Sequence, residues 1–173
     1  MREDRVDRMD QLASMYAYHF DTALQLLSLA EQAPVQMVNE ARAPAARSIP
    51  DLFFHILDTD RAWRIGLETG TRPERLRGDH YPTLSALREG LEQERRAWEL
   101  FLANLEQAQL DREIALGSEP GRFFAIGRWK VVHHVLLHGM QHLSEAAAKL
   151  TEMGASPGDI DFIFYSPADG HGR

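Results

Sequence analysis

From about Met9 to Ala33, apolar residues recur every three or four positions, at Leu12, Met15, Tyr16, Phe20, Ala23, Leu27 and Ala30. That spacing lines one side of a helix, and Pro34 ends it. A second helix is announced by Ser48-Ile49-Pro50-Asp51: Ser48 can cap it, Pro50 is tolerated in a first turn, and Asp51 stands where a capping carboxylate belongs. Its stripe is Leu52, Phe53, Ile56, Trp63 and Leu67, and it closes near Gly70. The segment GTRPERLRGDHYPT has turn residues and no period, and reads as a loop. Leu84, Leu87, Leu91, Trp98, Phe101, Leu102 and Leu105 mark a third helix, GSEPGR is a second break, and a fourth helix is expected from about Phe124 to Met153, stopped by Gly154. No stretch alternates at period two strongly enough to predict a sheet.

Four helices with one apolar stripe each can bury those stripes only against one another, so the pattern predicts an all-α, four-helix bundle. The chain reads as a single domain over 1–173, with the bundle at about 9–153 and a tail at 154–173 whose aromatics dock back on it. At 173 residues such a domain buries a core without needing a metal to fold, so a metal here is functional rather than structural.

Composition narrows the chemistry. There is no Cys, which excludes disulfides, thiolate ligands and a cysteine nucleophile within the chain; any thiol must come with a substrate. The net charge of −7, from 26 acidic and 19 basic residues, repels a phosphate backbone, and nucleic acid is not an expected partner. No apolar run spans a bilayer and the first residues are charged rather than signal-like, so the expectation is a cytoplasmic protein without a membrane partner.

Four of the eight histidines fall in HHVLLHGMQH, at His133, His134, His138 and His142. On a helix, residues four apart are about 40° round the axis and about 6 Å along it, so their imidazoles can share an ion. Residues eight apart are separated by about 12 Å and cannot. The candidate pairs are His134/His138 and His138/His142. Val132, Val135, Leu136, Leu143, Ala146 and Leu150 mark the core-facing arc, and His142 borders it while His134 lies on the other side, which favours His138 and His142. A pair holds an ion weakly and needs a third ligand from another helix. His55 flanks the stripe of the second helix, His19 sits within the stripe of the first, and His80 lies in a loop able to swing inward; His171, in a glycine-flanked tail, is a poor candidate. Glu145, one turn beyond His142, is placed to accept a hydrogen bond from it or shuttle a proton, or else to pair with Lys149.

The stretches SIPDLFFHILDTDRAW, YPTLSALREGLEQERRAWELFLANLEQAQL and WKVVHHVLLHGMQHLSEAAAKLTEMGASPGDIDFIFY resemble, in order and spacing, the DinB-like (YfiT-type) proteins. The most specific element is a lone histidine on the second helix followed by an H-x-x-x-H pair late on the fourth. The resemblance implies a four-helix bundle, usually a homodimer, holding a divalent metal on His55, His138 and His142, with zinc or nickel the expected ion. Many members follow the last ligand with Arg, where this chain has Leu143.

Three imidazoles with no fourth protein ligand make an open site that acts as a Lewis acid. The resemblance implies a small-molecule substrate and either a metal-dependent hydrolase or a low-molecular-weight-thiol S-transferase; by their positions on the helices, Glu145 and His19 are the candidate catalytic helpers. The alternative is a non-catalytic helical dimer or stress-response binding module.

Overall fold

The computed structural model describes residues 7–39, 47–119 and 122–166. Four long helices dominate it: α1 (Arg8–Gln32), α3 (Ile49–Thr69), α4 (Leu84–Ala103) and α6 (Arg128–Glu152). Two single-turn helices, α2 (Val35–Val38) and α5 (Gln107–Leu110), sit in the connections. The ends follow local chemistry. Asp7 caps α1 by accepting from the Met9 amide, Ser48 and Asp51 form a reciprocal capping box on α3, and Thr83 caps α4. Gly70 closes α3 at φ 73°, in the left-handed region where a side chain would be strained. Gly154, at φ 84°, does the same work after α6, where the Ala155 amide returns to the Leu150 carbonyl.

Helix α1 packs on α4 and α6, and α3 packs on the same two, so α1 and α3 face each other across the diagonal of the bundle. The interior divides into two apolar clusters. One gathers Leu26, Leu27, Leu52, Phe53, Ile56, Leu91 and Leu143; the other gathers Tyr16, Phe20, Trp98, Leu102, Leu110, Val131, Val132 and Val135. Buried polar groups accompany them: His19 with Asp60, and Glu94 with Arg64.

One prediction is corrected. Residues 124–127 are not the start of the last helix, and a sheet is present: β1 (Glu113–Glu119) and β2 (Arg122–Gly127) form an antiparallel hairpin, and α6 begins at Arg128. Ile114 pairs with Ile126 and Leu116 with Phe124. These four share one face of the ribbon, and Leu116 is buried there. The alternation lasts only three or four residues on each side of the turn, too few to outweigh a helical reading of the apolar FFAI. The signal was the near mirror of IAL and FAI about a Pro-Gly step.

The loop after α3 is tied down by Asp58, which is buried, accepts from the Leu76 amide at 2.8 Å and pairs with Arg75. The tail after α6 returns to α1 as expected, through the Phe162 ring edge-on to Tyr18 and the Tyr165 hydroxyl donating to Asp21 at 2.5 Å. Residues 162–164 form one 3-10 turn, which leaves Ile163 and Phe164 facing solvent.

Candidate metal centre

Helices α3 and α6 run side by side, and their contact brings three imidazoles together. His55 comes from α3, and His138 and His142 come from successive turns of α6. Each offers a ring nitrogen, and the three nitrogens lie within 4.8 Å of one another. His55 Nε2 and His138 Nε2 are 3.1 Å apart, and the ring centroids are separated by 4.6 to 4.9 Å. Nitrogens bound tetrahedrally at 2.0–2.1 Å are themselves about 3.3 Å apart, so the three rings need only small adjustments to share one ion.

The donors are suited to a cation. Burial lowers the His138 pKa to about 4, helped by His142, His55, His134 and Arg47. Burial, then Arg47, His142 and Arg75, also lowers that of His55. Near neutral pH these rings are uncharged and hold lone pairs, which is the form a metal requires. His142 is buried, and its Nδ1–H donates to Glu145 Oε2 at 3.0 Å. That bond fixes the tautomer and leaves Nε2 as an acceptor for the centre. His138 has no such support: its Nδ1 is buried without a hydrogen-bond partner.

The other sequence candidates take different places. His134 stands one turn before the pair, its ring 5.7 Å from that of His138 and edge-on to Trp63 at 5.4 Å, so Trp63 and His134 form an aromatic border beside the triad. His133 turns outward, with Nδ1 2.6 Å from the Trp129 carbonyl. His80 is exposed in the loop beside Asp79, and His171 lies outside the described residues. Glu145 points to His142 from behind, as a positioning group. His19, also a candidate helper, is not in the three-histidine group: its Nε2 is 2.7 Å from Asp60 Oδ2 across the bundle diagonal. Leu143 is fully buried in the apolar core, so the position after the last of the three histidines points away from the triad.

Sequence reasoning missed two residues here. Asp60 was not singled out as the partner of His19, although a carboxylate inside an apolar stripe is the expected sign of a buried polar pair. Gly139, between His138 and His142 on α6, also passed unremarked. A Cβ at that position would lie 2.2 Å from His19 Cε1, so the missing side chain is what lets the His19 ring lie against α6.

Among the described residues no helix is long and apolar enough to cross a membrane. None of the curated proteins compared with the chain matches it. Among solved structures, a DinB-like protein from Bacillus subtilis, YjoA, superposes with a TM-score of 0.61 at 21% identity, over 83% of this chain and 92% of that one. At that identity the likeness is one of fold. The family model of the DinB superfamily matches residues 21–146, a span that includes α3, the hairpin, and His138 and His142 of α6. The chain therefore belongs to the DinB superfamily.

Proposed function

We propose that the chain is a metal-dependent enzyme acting on a small-molecule substrate, with His55, His138 and His142 holding one divalent ion, zinc or nickel, and with thiol transfer as its chemistry. The observation that carries the reading is the convergence of three imidazole nitrogens within 4.8 Å, with no carboxylate among them. Three ligands leave the rest of a coordination sphere for water or substrate. An ion held there supplies Lewis acidity, which deprotonates a coordinating thiol outright and lowers the pKa of water to about 7.

The residues around the triad favour a thiol over water. Glu145 is engaged behind His142, among the described residues no carboxylate belongs to the three-histidine group, and Asp58, the carboxylate felt at His55, is taken up by Arg75 and the Leu76 amide. A thiol, with an ordinary pKa of about 8.5, needs less help. The chain has no cysteine, so the sulfur belongs to the substrate. Trp63 and His134 offer a flat wall for the substrate body, and the field of Arg47, felt at His55, favours an anionic group on it, Arg75 being already paired with Asp58. Hydrolysis is the second reading, on the same ligands.

Untagged protein analysed for metals is expected to carry one divalent ion per chain, and His138→Ala and His142→Ala to carry far less. Full stoichiometric metal in both variants defeats the assignment. A ligand that binds only the folded state at a concentration of 100 Kd adds about 2.7 kcal/mol, so zinc or nickel should raise the melting midpoint of the chelator-treated protein. No shift at saturating metal favours a non-catalytic helical module. Metal-dependent consumption of a low-molecular-weight thiol by 1-chloro-2,4-dinitrobenzene, followed by absorbance and absent in His138→Ala, tests the transfer chemistry.

A further inference from the structure

A second site lies on the opposite side of α6. Residues 140 and 143 are about 140–200° round the helix from His138, so they face away from the triad. There, between α1, α6 and the returning tail, is a cavity of about 320 Å³. That is within the range of small-molecule pockets, about 300–1,000 Å³. Met15, Met140, Leu143 and Phe162 give it apolar walls, and His19 is its one buried polar residue.

His19 is 2% exposed and Asp60 is fully buried, a pairing that a core seldom keeps unless it is satisfied or used. Asp60 comes from α3, across the diagonal, and its Oδ2 is 2.7 Å from His19 Nε2. Asp60 thereby orients the ring with Nε2–H toward the carboxylate and leaves Nδ1 as the nitrogen for a ligand, as a carboxylate behind an imidazole does in catalytic dyads. Gly139 admits the ring on the α6 side. The third wall is held by Tyr18, whose hydroxyl donates to the Ile160 carbonyl at 2.5 Å and so fixes the tail that carries Asp161 and Phe162.

We propose that this cavity binds a small, neutral aromatic molecule bearing a hydroxyl group, with the hydroxyl donating to His19 Nδ1. Each element of the ligand answers a feature of the site. Two methionine sulfurs and the Phe162 ring favour an aromatic body over a flexible aliphatic one. An Nδ1 lone pair selects a hydrogen-bond donor. Asp161 at the wall and the net charge of −7 oppose a carboxylate or phosphate. The proposal does not depend on the metal reading, since none of the three ligands lines the cavity.

The test uses the full chain, treated with chelator, and fluorescence titration with 2-naphthol and with its methyl ether, 2-methoxynaphthalene. Saturable binding of one 2-naphthol per chain, at least tenfold tighter than the ether, is the expected result. Met15→Trp, which fills the cavity, should abolish it while leaving the helical circular dichroism and melting transition in place. Equal affinity for the two compounds overturns the role of His19, and this comparison decides the matter even where Met15→Trp fails to fold. Absence of saturable binding overturns the site. So does a dimer that dissociates on Leu137→Glu, an exposed rim position, with naphthol binding only to the resulting monomer, because the groove is then covered by a second copy.

Discussion

The hydrogen bond from His142 to Glu145 decides which nitrogen of that ring faces the centre, and removing it should be felt as affinity. Loss of a carboxylate that orients a ligating histidine typically costs 10- to 100-fold in metal binding. Glu145→Ala is expected to weaken zinc or nickel binding by that factor in competition with a chromogenic chelator, with Glu145→Gln closer to wild type because its amide oxygen still accepts. His138 makes a different statement. Its folded pKa of about 4 lies below the ordinary value of 6.5, so between those values the unfolded chain takes up a proton that the folded chain refuses. Stability of the metal-free protein is therefore complete above pH 6.5 and falls on acidification toward pH 4, and His138→Gln should flatten that slope in melts run from pH 7 to 4.5. The triad was legible at this scale because i,i+4 spacing on a helix is strict geometry. That His55 rather than His19 meets the pair was not legible from the stripes alone: both α1 and α3 lie beside α6, and the outcome turns on which side of its own helix each histidine occupies, His19 facing Asp60 across the interior and His55 facing the pair.

Among the elements, α6 carries the most information per turn. Residues 138 to 143 supply two histidines of the triad, the gap for His19 and one wall of the second cavity. Gly139→Ala tests the gap. Alanine gains about 1 kcal/mol in helix propensity over glycine, but its Cβ would meet a His19 ring that Asp60 holds in place, and overpacking a core costs about 1–3 kcal/mol. The balance should be a lower melting midpoint, where an exposed glycine in a helix would give a higher one. The cap and end of α3 could be read from Ser48, Asp51 and Gly70, and the exit of α1 from Pro34, because these are local chemistry. The hairpin could not, because its strands are short and their pairing is visible only once Ile114 and Ile126 are known to meet. It replaces a capping side chain: Gly127 offers none to α6, and the chain is instead held by the Arg128 amide donating to the Arg112 carbonyl.

Across the whole molecule, the two apolar clusters are accompanied by charges that must be paired to be tolerated. Arg64 forks onto Glu94 with bonds of 2.6 and 2.9 Å and also reaches Glu68. Burial raises the Glu94 pKa while Arg64 opposes it. Removing one partner of a buried pair costs about 3–5 kcal/mol, because the other charge is left without compensation. Glu94→Ala should approach that figure in urea unfolding, while Glu99→Ala, on the exposed pair with Arg95, should change stability by less than about 1 kcal/mol. The bundle itself was readable from four stripes of hydrophobic residues, whereas the partition of its interior was not. Helical periodicity says which side of a helix is inward, but not which inward residue meets which.

Because α6 borders both α1 and α3 and is the last long helix of the chain, biosynthesis proceeds for most of its length with two sides of the bundle uncovered. His55 leaves the ribosome some eighty residues before His138 and His142, the two histidines it meets in the fold. A metal held by the three histidines could therefore load only once α6 has been made, and a truncation upstream of residue 138 would leave apolar helix faces uncovered and His55 without its partners.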